Sequence, residues 1–185
     1  MKIEMVHPVT AAEQELAAVA TPGGRIIVGI DDSPGGRAAL RLAVAQARSS
    51  HARLVAVRSW ALGLPRHGGL RHRRLGPVHP HLVLHWDRTR LSEASRAFIR
   101  ECFADAVGGT PRDVAVTVKT PEGEPGAALA GIATADGDVI VVGQEPPLTV
   151  RRVLHGSVSL YCSKHARCPV VVVPAEEPHA AAKAS

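Results

Sequence analysis

Arg25-Ile26-Ile27-Val28-Gly29-Ile30-Asp31-Asp32-Ser33-Pro34 is the stretch that settles the fold class. The run from Ile26 to Ile30 shows no alternation of apolar and polar residues, so it reads as a strand buried on both faces, the kind found in parallel sheets. Ser33 suits the N-cap of a following helix and Pro34 its first position. Ala39, Leu40, Ala43, Val44 and Ala47 recur at helical spacing and give that helix a buried face. The same alternation continues outward. Further strands are expected over 54–60, 114–118, 139–143 and 170–173, and further helices from 88 to the Gly108-Gly109 stop, over 126–135 and over 157–165. Five strands alternating with helices are βαβ units, which form a doubly wound α/β fold with a parallel sheet and helices on both faces. The expected domain spans 25–174. Residues 1–24, ending in Thr21-Pro22-Gly23-Gly24, read as a flexible lead-in, 61–85 as an Arg/His-rich loop insert, and 175–185 as a flexible tail.

Composition narrows the function classes. The chain has 185 residues, enough for one domain, and is 45% apolar against 21% charged, which excludes a disordered chain. Aromatic residues make up 3%, leaving little for base-stacking platforms and arguing against single-strand nucleic-acid binding. The net charge is +5, and Arg66, Arg71, Arg73, Arg74, Arg88 and Arg90 crowd one stretch with five of the ten histidines. Such a stretch can attract polyanions in a salt-dependent way, but no specific nucleic-acid partner is expected. Three cysteines do not make a secreted disulfide framework. With no signal-peptide pattern and no apolar run near the ~20 residues that span a bilayer, a cytoplasmic protein without membrane contact is expected.

In doubly wound sheets, ligands bind beyond the carboxyl ends of the strands, where the strand order reverses. Asp31, Ser59, Trp60 and Gly143 stand there. A glycine at a strand end lets a phosphate or ribose approach the backbone, and the helix start at Gly156-Ser157-Val158-Ser159 offers unpaired N–H groups to an anion. Asp31 can accept from an exocyclic amine such as that of adenine, or can help to cap the first helix alongside Asp32. Gly143 and Gly156 also have plainer uses, in a turn and in helix entry. Trp60 either fills or flanks a base slot.

IIVGIDDSPGGRAALRLA, EGEPGAAL, DVIVVG and HGSVSLYCSKHARCPVVVVP together resemble the universal stress protein family over about 25–174. The resemblance implies strand order 3-2-1-4-5 and a stress-response protein that binds ATP, with or without Mg²⁺, or a related adenine nucleotide, as a sensor for an unidentified protein partner. It implies an adenine-facing role for Asp31, a main-chain adenine contact at Ser59, and a phosphate-binding turn from Gly156 through Ser157 and Val158 to Ser159. It also implies a homodimer through the last strand, where Val170, Val171, Val172 and Val173 otherwise leave an unpaired apolar edge.

The family's ATP-binding members carry Gly-x2-Gly-x9-Gly-Ser/Thr. Here Gly143, Gly156 and Ser157 fit that spacing, but position 146 is proline. Proline lacks the N–H and fixes φ, and losing one charge-assisted hydrogen bond costs roughly 1.5–3 kcal/mol, about 10- to 150-fold in affinity. The competing expectation is therefore a family member that has lost nucleotide binding and acts as a dimeric interaction module. No Walker lysine motif, nucleophile elbow or acid/base pair points to an enzyme beyond slow ATP hydrolysis. Cys162-x2-His165-x2-Cys168 places two metal-ligand types on one helical face, yet it lacks a fourth ligand, so no metal site is expected and the cysteines read as structural. His79 and His81 in the basic loop read as solvated residues ahead of a chelating pair.

Overall fold

β1 (Arg25–Gly29) lies at the centre of the sheet because its residues Ile26, Ile27 and Val28 have no exposed surface to give up on either side. A computed structural model describes residues 8–61, 83–144 and 158–175. Five parallel strands run in the order β3-β2-β1-β4-β5, with β2 at Arg53–Val57, β3 at Val116–Lys119, β4 at Asp138–Gly143 and β5 at Val170–Val173. This is the expected fold class and strand order.

Side chains sort by the two-residue period of a strand. Ile26, Val28, Leu54, Ala56, Val139, Val141, Val171 and Val173 face one apolar layer, shared with α2 (Pro34–Ser50) and α3 (Val83–Val107). Ile27, Val55, Val57, Ile140 and Val142 face the other, shared with α4 (Pro125–Ile132) and α5 (Val158–His165). At the amino end of the sheet Arg25 pairs across to Asp138, with Nε and Nη2 donating to the two carboxylate oxygens at 2.8 and 2.5 Å. Asp138 is 2% exposed. Burial pushes its pKa up, but the bonds from Arg25 and from the Ala135 N–H outweigh this and hold the carboxyl below its ordinary value.

Three expectations are corrected. Residues 1–24 are not structureless throughout, because α1 (Pro8–Val19) is helical and docks on the α2 side of the sheet. Leu16 is fully buried and Ala12 nearly so, in the same cluster as Val171 and Val173 of β5. The tether that follows is locked as well: the Thr21 hydroxyl donates to the Gly137 carbonyl at 3.4 Å, and a Cβ at Gly24 would stand 2.5 Å from that same oxygen. The third strand begins two residues later than expected. The long helix begins at Val83, inside the expected 61–85 loop, since no glycine or proline interrupts the chain between Pro80 and Gly108. Residues 62–82 of that loop, with His79 and His81, and the tail beyond Ala175 lie outside the described residues. Among the described residues, no helix is long and apolar enough to cross a membrane.

If α1 belongs to the core, Leu16→Ala removes its main buried side chain. We expect a loss of about 2 kcal/mol in urea unfolding; an unchanged midpoint would show that the helix adds nothing to the fold.

Candidate functional site

Strand order reverses between β1 and β4, so the crevice lies where Asp31 leaves β1 and Gly143 ends β4. The chain turns sharply after β1. Asp31 Oδ1 accepts from the Ser33 N–H at 2.9 Å and from the Ser33 hydroxyl at 2.6 Å, and Ser33 Oγ in turn accepts from the Gly36 N–H at 2.9 Å. Ser33 is thus the N-cap and Pro34 the first residue of α2, as expected. Both bonds to Asp31 fall on one oxygen, which leaves Oδ2 as the atom that could meet an exocyclic amine. Arg37 pairs with Asp32 over the same turn at 2.5 Å.

Gly143 is pressed against α2. A Cβ there would collide with the Gly35 carbonyl carbon and the Gly36 nitrogen, and a Cβ on Gly35 would stand 2.5 Å from the Gln144 carbonyl oxygen. A Cβ on Gly36 would strike the Asp31 carboxylate. Gly35 and Gly143 therefore let the first turn of α2 sit directly on the end of β4, Gly36 makes room for the Asp31 carboxylate, and Gly143 has a packing role whatever it does for a ligand.

The wall beyond β2 is tied to the segment after β3. Ser59 is half-buried between Arg58, whose N–H donates to the Lys119 carbonyl at 3.1 Å, and Trp60, whose N–H donates to that of Pro121 at 3.0 Å. Trp60 Nε1 donates to the Thr120 carbonyl at 2.8 Å, and the Trp60 carbonyl accepts from the Gly123 N–H. The indole N–H is thereby committed to the β3 side. From α3, Arg88 pairs with Glu122 at 3.3 Å and the Ser92 hydroxyl lies 2.7 Å from that of Thr120.

Arg58 was not singled out by sequence reasoning. Its guanidinium carbon sits 3.5 Å over the centre of the Phe98 ring, and Nη1 donates to the Ile30 carbonyl at 3.4 Å, one residue before Asp31. The signal available was an arginine directly after the apolar run Leu54–Val57. Nearby, the Cys102 thiol lies 3.9 Å from the Asp31 carbonyl oxygen. Burial, followed by the charge of Asp32, pushes its pKa up to about 11. A thiol so held is protonated at neutral pH and is no nucleophile.

On the other side of β4, Val158 and Ser159 open α5 and are half-buried, while Gly156, Ser157 and Pro146 lie outside the described residues. α5 is seated on α4 by contact of the Tyr161 side chain with Gly126, where a Cβ would come within 2.8 Å of the ring. Cys162 and His165 do not act together. Cys162 is buried with its thiol 3.8 Å from the Gly126 carbonyl, and burial pushes it up to about 11, whereas His165 is exposed and stacks on Tyr161 at 4.2 Å. No group of three metal-ligating side chains is found among the described residues.

The sequence profile of the universal stress protein family matches residues 24–174. The chain belongs to the universal stress protein family. Solved structures agree in fold. A universal stress protein from Lactobacillus plantarum is 22% identical, with a TM-score of 0.54 over 83% of this chain and 99% of that one. A family protein from Burkholderia pseudomallei is 25% identical, with a TM-score of 0.53 over 84% and 99%. A universal stress protein solved in complex with cAMP is 19% identical, with a TM-score of 0.50 over 84% and 99%. A comparison with curated proteins finds no match. The family match begins at residue 24, so α1 lies outside it.

For Gly143→Ala we expect a loss of about 1–3 kcal/mol in unfolding free energy measured without any ligand, because the new methyl has no room against Gly35 and Gly36. A variant as stable as the parent would mean that this contact is looser than described.

Proposed function

We propose that this universal stress protein binds an adenine nucleotide in the crevice between β1 and β4 and reports its occupancy to a protein partner. The observation that carries the proposal is the placement of the Asp31 carboxylate at the strand-order reversal, with one oxygen fixed by Ser33 and the other left to accept an amine. The base would lie between Asp31 and the main chain at Ser59. Phosphates would meet Gly143 and the amides from Gly156 and Ser157 to Val158 and Ser159. The cAMP complex of the family protein above supports adenine nucleotides as the ligand class, and ATP, with or without Mg²⁺, is the form that the family resemblance implies.

A second reading rests on a specific observation. Asp31 and Gly143 both have structural work, the one in the turn before α2 and the other beneath it, so their presence is accounted for without a ligand. With proline at 146, the protein would then be an interaction module.

Calorimetric titration of the purified protein with ATP and Mg²⁺, and separately with cAMP, distinguishes the two. Saturable heat with either nucleotide, strengthened about tenfold or more by Pro146→Gly, is the expected result. Silence at millimolar concentration in both proteins would leave the interaction module standing.

The chain is further proposed to pair with a second copy through β5. The Pro169 and Val173 carbonyls accept from Ile140 of β4 and from Gln144 just after it, so by strand alternation Val170 and Val172 turn their backbone groups to the open edge. Light scattering should give a dimer mass at micromolar concentration, and Val172→Pro, which removes an outward N–H, should give a monomer with an unchanged circular dichroism spectrum. A wild-type monomer would refute pairing.

A further inference from the structure

Resting on the nucleotide reading above, we propose that Arg58 is the positioning residue for base recognition: it anchors the main chain on which the Asp31 carboxylate is mounted, and so sets the preference for a base with an exocyclic amine. A side chain points where the two peptide planes beside its Cα direct it, because the planes themselves are rigid and only φ and ψ are soft. Both planes beside Asp31 are held from outside the turn. The plane before it carries the Ile30 carbonyl, which accepts from Arg58 Nη1 at 3.4 Å, and the Ile30 N–H is tied in turn to the Val57 carbonyl at 2.8 Å. The plane after it carries the Asp31 carbonyl, which faces the Cys102 thiol at 3.9 Å. Ser33 then fixes the carboxylate through Oδ1. With backbone and side chain both held, Oδ2 is kept in one place.

Arg58 is itself braced on three elements. Its N–H donates to the Lys119 carbonyl of β3 at 3.1 Å, while its side chain reaches the other way, to the exit of β1. The guanidinium lies 3.5 Å over the Phe98 ring of α3. Phe98 and Cys102 stand one helical turn apart, so one face of α3 offers the ring to Arg58 and the thiol to Asp31. A carboxylate ordered in advance loses little further freedom when a base arrives, and its hydrogen bond then counts almost in full towards affinity. An arginine that only capped the apolar layer beneath α3 would affect every ligand alike.

Calorimetric titration of the wild-type chain, Arg58→Met and Arg58→Lys tests this, with Mg²⁺-ATP and with the Mg²⁺ triphosphate of purine riboside, which lacks the 6-amino group. The wild type should prefer ATP by about tenfold or more, the worth of one hydrogen bond to a carboxylate. Arg58→Met keeps an unbranched stem but has no donor and no charge, so the preference should shrink to about twofold, and Arg58→Lys, which still brings a cation to the ring and the carbonyl, should recover most of it. The ratio is the readout because loss of a positive charge, or a looser fold, weakens both triphosphates together. In the ligand-free protein, amide exchange at Ser33 and Gly36, whose N–H groups are bonded within the turn, should quicken about tenfold in Arg58→Met and slow again in Arg58→Lys. A wild type that binds both triphosphates equally, a full ATP preference in Arg58→Met, an equal loss for both ligands, or unchanged exchange overturns the proposal. If the wild type takes up neither triphosphate while exchange quickens as stated, the nucleotide reading falls and the anchoring of Asp31 by Arg58 stands.

Discussion

The crevice depends on a close approach of two pieces of backbone. The first turn of α2 rests on the end of β4 at a separation that admits no side chain at Gly35 or Gly143. From this contact the rest of the crevice takes its shape. It sets the angle at which α2 leaves β1, holds Ser33 where it can cap the helix, and brings Asp31 back over Gly36. Close packing makes such a junction intolerant of even one methyl group, whereas the loops around it can vary freely. Scaffold and site share residues here. The carboxylate that faces the crevice also braces the turn that forms it.

That sharing weakens a simple motif argument. A glycine and an aspartate at the expected positions would ordinarily be credited to a ligand, yet each has a structural reason to be present. Asp31 retains functional interest because a carboxylate has more acceptor capacity than two bonds to one oxygen consume. Arg58 adds a fixed cation at the same end of the sheet, held in place by an aromatic face and a carbonyl. The mouth of the crevice thus presents both signs of charge, from Asp31 after β1 and Arg58 after β2.

Much of the architecture was legible from the chain alone. Continuous apolar runs such as Ile26–Ile30 and Val170–Val173 mark the strands, the first buried on both faces and the second an edge strand with Val170 and Val172 half-buried, and the Ser33-Pro34 cap announces its helix to the residue. α1 escaped because, among its described side chains, the buried stripe rests on Ala12 and Leu16, too few to stand out as a period in an alanine-rich segment, and because its partners on β5 are over 150 residues away. The early start of α3 escaped for a different reason: a stretch dense in glycine, proline, arginine and histidine precedes it, and composition hid where regular structure resumes. At the site, spacing found Asp31, Ser59 and Gly143 but could not show that Gly143 is wedged against α2, which is a fact of three-dimensional approach. Nor could it give Arg58 a role, since that depends on Phe98, forty residues later.

The buried thiols carry a consequence of their own. Cys102 belongs to the layer of α1, α2 and α3, and Cys162 to the layer of α4 and α5, so one sits on each side of the sheet. Both are shielded and both hold their protons at neutral pH. An alkylating reagent can reach either sulfur only when its own side of the sheet breathes. The chain therefore carries a built-in pair of clocks, one per layer, from which the local opening of each could be timed separately.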